Sequence, residues 1–89
     1  MNSVVWQHAR RYNIGMNKRI KAVRSYYELS QEEFAERIGI NRSSLSLLES
    51  GKNNPSERTV RMICGQFSVD YHWLVTGQGD MFVTSDDNL

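Results

Sequence analysis

One cysteine, Cys64, stands in the 89 residues, so no disulfide can close within the chain and a small secreted fold stapled by disulfides is excluded. Long apolar runs are missing as well. No stretch reaches the roughly 20 apolar residues that a membrane span needs, and no continuous apolar segment of signal-peptide type opens the sequence. The expectation is a cytoplasmic protein without membrane contact. The two histidines, His8 and His72, match no zinc-ligand spacing, so no metal is expected. No paired acid and base, activated nucleophile or phosphate-binding loop can be recognised, which argues against an enzyme and leaves no cofactor or small-molecule ligand to expect.

Acids are absent from residues 1 to 27, which hold Arg10, Arg11, Lys18, Arg19, Lys21 and Arg24. Lys and Arg are absent after Arg61, where Asp70, Asp80, Asp86 and Asp87 carry the charge. The net charge of +1 therefore conceals a strong sorting. One basic face and one acidic end are implied, a better guide to affinity for nucleic acid than the sum.

What is present suits one small helical domain. With 39% hydrophobic and 24% charged residues the composition is ordinary for a globular protein, and the length allows a single modest core. Residues 1–15 read as an arm carrying Val4, Val5, Trp6, Tyr12 and Ile14. Packing on the domain, reaching toward DNA and translation from an early start codon are all open readings of it. From Met16 to Tyr27, Met16, Ile20, Val23 and Tyr27 recur at helical spacing with basic side chains between them, giving a first amphipathic helix. Ser30 followed by Glu33 is a capping box, which starts a second helix at about Gln31. That helix buries Phe34, Ala35 and Ile38 and stops at Gly39, a residue suited to a left-handed backbone.

Asn41 caps a third helix with Leu45 and Leu48 on its buried stripe, ended by Gly51. Lys52-Asn53-Asn54-Pro55 is a polar turn. Ser56 then caps a fourth helix, with Val60, Ile63, Cys64 and Phe67 inward, and Asp70 caps a fifth, carrying Trp73 and Leu74 and closed by Gly77. The residues after Phe82 read as a polar tail, frayed from about Thr84. The domain thus spans 16–82, between the arm and a tail at 83–89.

The segment Gln31 to Ser50 is the informative one. Ala35 is small where two helices must approach, Gly39 permits the tight turn, and Ile40, Leu45 and Leu48 line the inner surface of the pair. LSQEEFAERIGINRSSLSLLESGKNNPS, followed by YHWLVTGQG, resembles the Cro/C1-type (phage repressor-like, XRE) helix-turn-helix family. The likeness covers roughly Met16 to Phe82. It implies an all-α, five-helix lambda-repressor-like domain that binds double-stranded DNA as a homodimer, with the third helix in the major groove.

On that reading, Asn41, Arg42, Ser43, Ser46 and Leu47 face outward or lie at the leading end of the third helix, where base edges are met. Arg42 is the strongest candidate, because its planar fork can pair with both major-groove acceptors of guanine. Leu47 departs from the family pattern, which usually has a polar or basic side chain there; a thymine methyl, an altered specificity and a protein contact are the open alternatives. Gln31, by resemblance, contacts phosphate from the positive end of the second helix, as do Lys52, Asn53 and Asn54 from the turn. Arg24 and Glu49 match family positions that pair across the first and third helices. Phe34, Phe67 and Trp73 are expected in the core, Cys64 as a small core residue and His72 on the surface.

The function expected is a bacterial or phage-type regulator, with repression favoured because a small domain can act by occupying a promoter. Its operator would be near-palindromic, with half-sites about one helical turn apart. Helices four and five are the expected pairing surface. The competing reading is a protein-interaction module on the same fold, such as an antitoxin or regulatory subunit.

Overall fold

The computed structural model describes residues 15–83; the hydrophobic residues of the arm and the tail from Thr84 lie outside them. The described chain is all-α. α1 covers residues 15–26, followed by α2 (Gln31–Ile38), α3 (Arg42–Glu49), α4 (Glu57–Phe67) and α5 (Tyr71–Thr76).

α2, α3, α4 and α5 each begin where a short polar side chain can take an otherwise unpaired amide. Ser30 Oγ accepts from the Glu33 amide at 3.1 Å while Glu33 Oε1 accepts from the Ser30 amide at 2.9 Å, so the capping box is complete. Asn41 Oδ1 accepts from the Ser44 amide, Ser56 Oγ from Thr59 and Asp70 Oδ1 from Trp73. The ends differ more. Gly39 closes α2 at φ 79° and Gly77 closes α5 at φ 85°, but α4 ends on Ser68 at φ 57°, a left-handed conformation without glycine.

α1 stops one residue short of Tyr27. That tyrosine lies in a turn completed by Glu28 at φ 55°, but its amide still donates to the Val23 carbonyl at 3.3 Å, which keeps it in line with the inner stripe of α1. Its hydroxyl donates to the Phe67 carbonyl at 2.7 Å and its ring lies 5.0 Å from that of Phe67.

The core is built from Met16, Ile20 and Val23 of α1, Phe34, Ala35 and Ile38 of α2, Leu45 of α3, Val60, Ile63 and Phe67 of α4, with Val69 and Leu74. Phe34 and Phe67 stack at 4.7 Å with planes 8° apart, joining α2 to α4. Ile40, Cys64 and Trp73 pack against this cluster but are only partly buried, because they sit at its margins. An antiparallel bridge between Val69 and Phe82 ties the segment after α5 to the end of α4. Val83 belongs to it through its amide, which donates to the Ser68 carbonyl at 3.0 Å. Arg19 fastens α1 to α5, donating from Nε to the Leu74 carbonyl and from Nη2 to that of Val75.

Candidate nucleic-acid interface

α3 has two kinds of leucine. Leu45 and Leu48 are 0% and 6% exposed and anchor the helix to the core, whereas Leu47 is 38% exposed. With that stripe buried, the 3.6-residue repeat turns Arg42, Ser43, Ser46 and Leu47 outward together. These four line a shallow hollow of about 300 Å³. Arg42 forms no ion pair among the described residues, so its guanidinium is available to an incoming acceptor.

Asn41 stands at the leading end and is exposed, but its carbonyl oxygen is engaged by the Ser44 amide at 2.8 Å. Pairing with adenine uses an amide oxygen and nitrogen together. The cap leaves Asn41 Nδ2 as the group able to donate outward.

The base of the site is held by a buried carboxylate. Glu49, at the end of α3, has a side chain only 5% exposed and meets Arg24 of α1, which is 16% exposed. Arg24 Nε donates to Glu49 Oε2 at 2.7 Å and Nη2 to Oε1 at 3.0 Å. A third guanidinium donor, Nη1, reaches the Leu29 carbonyl at 3.0 Å. The hydrogen bond to Glu49, opposed by burial, raises the Arg24 pKa above its ordinary value. Gln31, at the start of α2, donates from Nε2 to Glu49 Oε1 at 3.0 Å. One carboxylate thereby joins α1, α2 and α3.

Asn17 adds a contact that residue spacing does not reveal: its Nδ2 donates to the Glu49 carbonyl at 3.0 Å. The signal is weak in the sequence because an asparagine at the margin of a basic helix looks like any solvated polar residue.

Lys52, Asn53 and Asn54 are exposed in the turn after α3. The amides of Lys52 and Asn53 both donate to the Leu47 carbonyl, at 3.0 and 3.2 Å, so the turn folds back on the helix end. Asn53 and Asn54 line a groove of about 340 Å³ with Ser44, Pro55, Ser56 and Thr59. A second hollow is lined by Glu32, Glu33 and Glu36 of α2 together with Ile40, Asn41 and Arg42.

The helix-turn-helix domain family matches residues 17–80, which spans α2, α3 and the helices that support them. The chain belongs to the helix-turn-helix domain family. The Cro/C1 (XRE) type fits the five-helix arrangement. An uncharacterized HTH-type transcriptional regulator of Archaeoglobus fulgidus is 34% identical over 74 residues, covering 83% of this chain and 96% of the relative. Antitoxin PezA of Streptococcus pneumoniae is 41% identical over 56 residues, 63% of this chain. The HTH-type transcriptional regulator for conjugative element R391 of Providencia rettgeri is 42% identical over 53 residues, 60% of this chain. The matched segments span 35% of PezA and 24% of the R391 regulator, so the likeness to these two longer proteins is to one part of each.

Proposed function

We propose that the protein is a sequence-specific DNA-binding transcription regulator, acting as a repressor from a homodimer that sets α3 in the major groove of a near-palindromic operator. The observation that carries this reading is the exposed Arg42, without an ion pair among the described residues, at the leading end of a helix fixed by Leu45, Leu48 and the Arg24–Glu49 pair. Arg42 is assigned to guanine, with Asn41, Ser43, Ser46 and Leu47 along the same groove. Gln31, Lys52, Asn53 and Asn54 are assigned to backbone phosphates, which position the domain without reading sequence. The regulator names of the archaeal and conjugative-element relatives support it.

A dimer is proposed because one short recognition helix covers too few base pairs to select a site in a genome. The α4–α5 face is the proposed pairing surface. There Tyr71 is 39% exposed, its hydroxyl donates to the Glu57 carboxylate, and the Arg61 guanidinium lies 5.0 Å from its ring centroid. The role is binding rather than catalysis. Burial, followed by the nearby Asp70 charge, pushes the Cys64 thiol up from its ordinary pKa, opposite to what a nucleophile needs. A cytoplasmic setting suits this reading, and no helix among the described residues is long and apolar enough to cross a membrane.

Selection of binding sites from random duplexes tests the reading, with Arg42→Ala run beside the parent. Recovery of a short inverted repeat, with one position per half-site relaxed in the variant, is expected. A folded protein that enriches no sequence at low salt overturns it. The likeness to antitoxin PezA supports a second reading, a protein-interaction module on the same fold. That reading gains if no operator is recovered and α3 variants lose a protein partner instead.

A further inference from the structure

Four side chains share the outward hollow of α3, and three of them are polar: Arg42, Ser43 and Ser46. Leu47 is the exception, more than one-third exposed on a face whose remaining groups suit water or hydrogen bonding. An aliphatic side chain left in water gains from burial against another apolar surface. In the major groove the apolar group that distinguishes one base from the others is the C5-methyl of thymine.

The placement of Leu47 favours such a contact. Its carbonyl accepts from Ser50 Oγ at 3.1 Å, from the Lys52 amide at 3.0 Å and from the Asn53 amide at 3.2 Å. Its backbone is therefore fixed, and only side-chain freedom remains to be lost on contact. Ser43 and Ser46 are short, so neither fences the leucine tip from a base edge. The polar turn that follows, proposed to hold phosphate, lies directly against the carbonyl of the same residue.

We infer that Leu47 is a specificity-determining residue that reads the C5-methyl group of a thymine in each operator half-site. This rests on the operator reading and adds a base identity to it. Five residues of helix separate Leu47 from Arg42, about 7.5 Å of rise at 1.5 Å per residue. That is roughly two base-pair steps at 3.4 Å each, so the thymine lies about two base pairs from the guanine assigned to Arg42. The protein carries no methyl requirement of its own elsewhere on this face, because Arg42 and the serines act through hydrogen bonds.

The test replaces each thymine of the selected operator, one at a time, by deoxyuridine. This removes the methyl and leaves the O4 acceptor and the pairing edge intact. Binding is measured by fluorescence anisotropy with the parent and with Leu47→Ala. At one thymine per half-site the parent should bind about three- to tenfold more weakly, the range expected for losing one buried methyl contact. Leu47→Ala should bind the two duplexes alike, since the cycle isolates the pair. Equal binding of the parent to every deoxyuridine operator overturns the inference, as does a penalty that persists undiminished in Leu47→Ala. Both leave the operator reading standing, because the operator itself is still bound. If no operator is selected at all, that reading falls and this one with it. The deoxyuridine series on the parent needs no variant, so a folding defect cannot imitate its result, and the retained affinity of Leu47→Ala for the unmodified operator shows that the variant is folded.

Discussion

The guanidinium of Arg24 meets both carboxylate oxygens of Glu49, at 2.7 and 3.0 Å, across the junction of α1 and α3. Gln31 of α2 donates to the same carboxylate. Three helices are thus held by one side chain at the foot of the helix that carries Arg42. A planar, two-pronged pairing of this kind fixes orientation as well as distance, so the pair sets how α3 projects from the core.

Arg24→Ala should destabilise the protein by about 3 kcal/mol, because it leaves the Glu49 charge largely buried with Gln31 as its remaining side-chain donor. Thermal unfolding should show a fall of roughly 12 °C or more. Arg24→Lys should recover little of the loss, since an ammonium cannot reproduce the paired N–H donors. Joint replacement by Arg24→Met and Glu49→Leu should be far milder than Arg24→Ala. Parent-like melting of Arg24→Ala would show that the pair does not support α3.

The local rules of helix formation were legible in the residues. Ser30, Asn41, Ser56 and Asp70 each cap the helix that the apolar spacing places after them, and Leu45 and Leu48 settle which face of α3 turns outward. Longer contacts were not. Arg19 reaches carbonyls 55 and 56 residues away, and Tyr27 donates to a carbonyl 40 residues away; no local pattern encodes such partners. Tyr27 fits the helical spacing of α1, yet its bond to Phe67 and the left-handed Glu28 take it into the turn. Within the site, the outward set followed from periodicity, but the engagement of the Asn41 oxygen as a cap depends on backbone geometry.

Ser68 ends α4 in a left-handed conformation, φ 57°, which costs a residue with a Cβ roughly 1–2 kcal/mol. Glycine removes that cost while adding freedom to the unfolded chain. Ser68→Gly should therefore stabilise by about 0.5–1 kcal/mol and raise the melting temperature by a few degrees. The backbone bond from Val83 to the residue-68 carbonyl survives the change. A lower melting temperature would mean that the serine side chain contributes more than the strain removes.

Glu33 gives the capping box a pH dependence. Its carboxyl pKa is lowered, first by the hydrogen bond from the Ser30 backbone amide and then by the Ser30 side chain. A depressed folded pKa means that the folded state favours the carboxylate. The contribution is therefore present above the ordinary glutamate value of 4.5 and is lost as pH falls through the folded value. Glu33→Gln keeps an acceptor for the Ser30 amide and removes the charge. Denaturant titrations should show the parent more stable at neutral pH and the gap to Glu33→Gln closing under acid. A gap that is constant with pH would assign the difference to packing rather than charge.

Lys52 separates positioning from reading. Its amide helps close the turn onto the Leu47 carbonyl, a bond that alanine retains, so Lys52→Ala removes the ammonium without opening the turn. If that ammonium neutralises one phosphate, binding should weaken by a similar factor on operator and unrelated duplexes, and the slope of log K against log salt should become shallower by about 1. Arg42→Ala should act differently, relaxing one operator position. Measuring both variants against operator and scrambled duplexes at several salt concentrations separates the roles. An unchanged salt slope in Lys52→Ala would remove Lys52 from the phosphate-binding set.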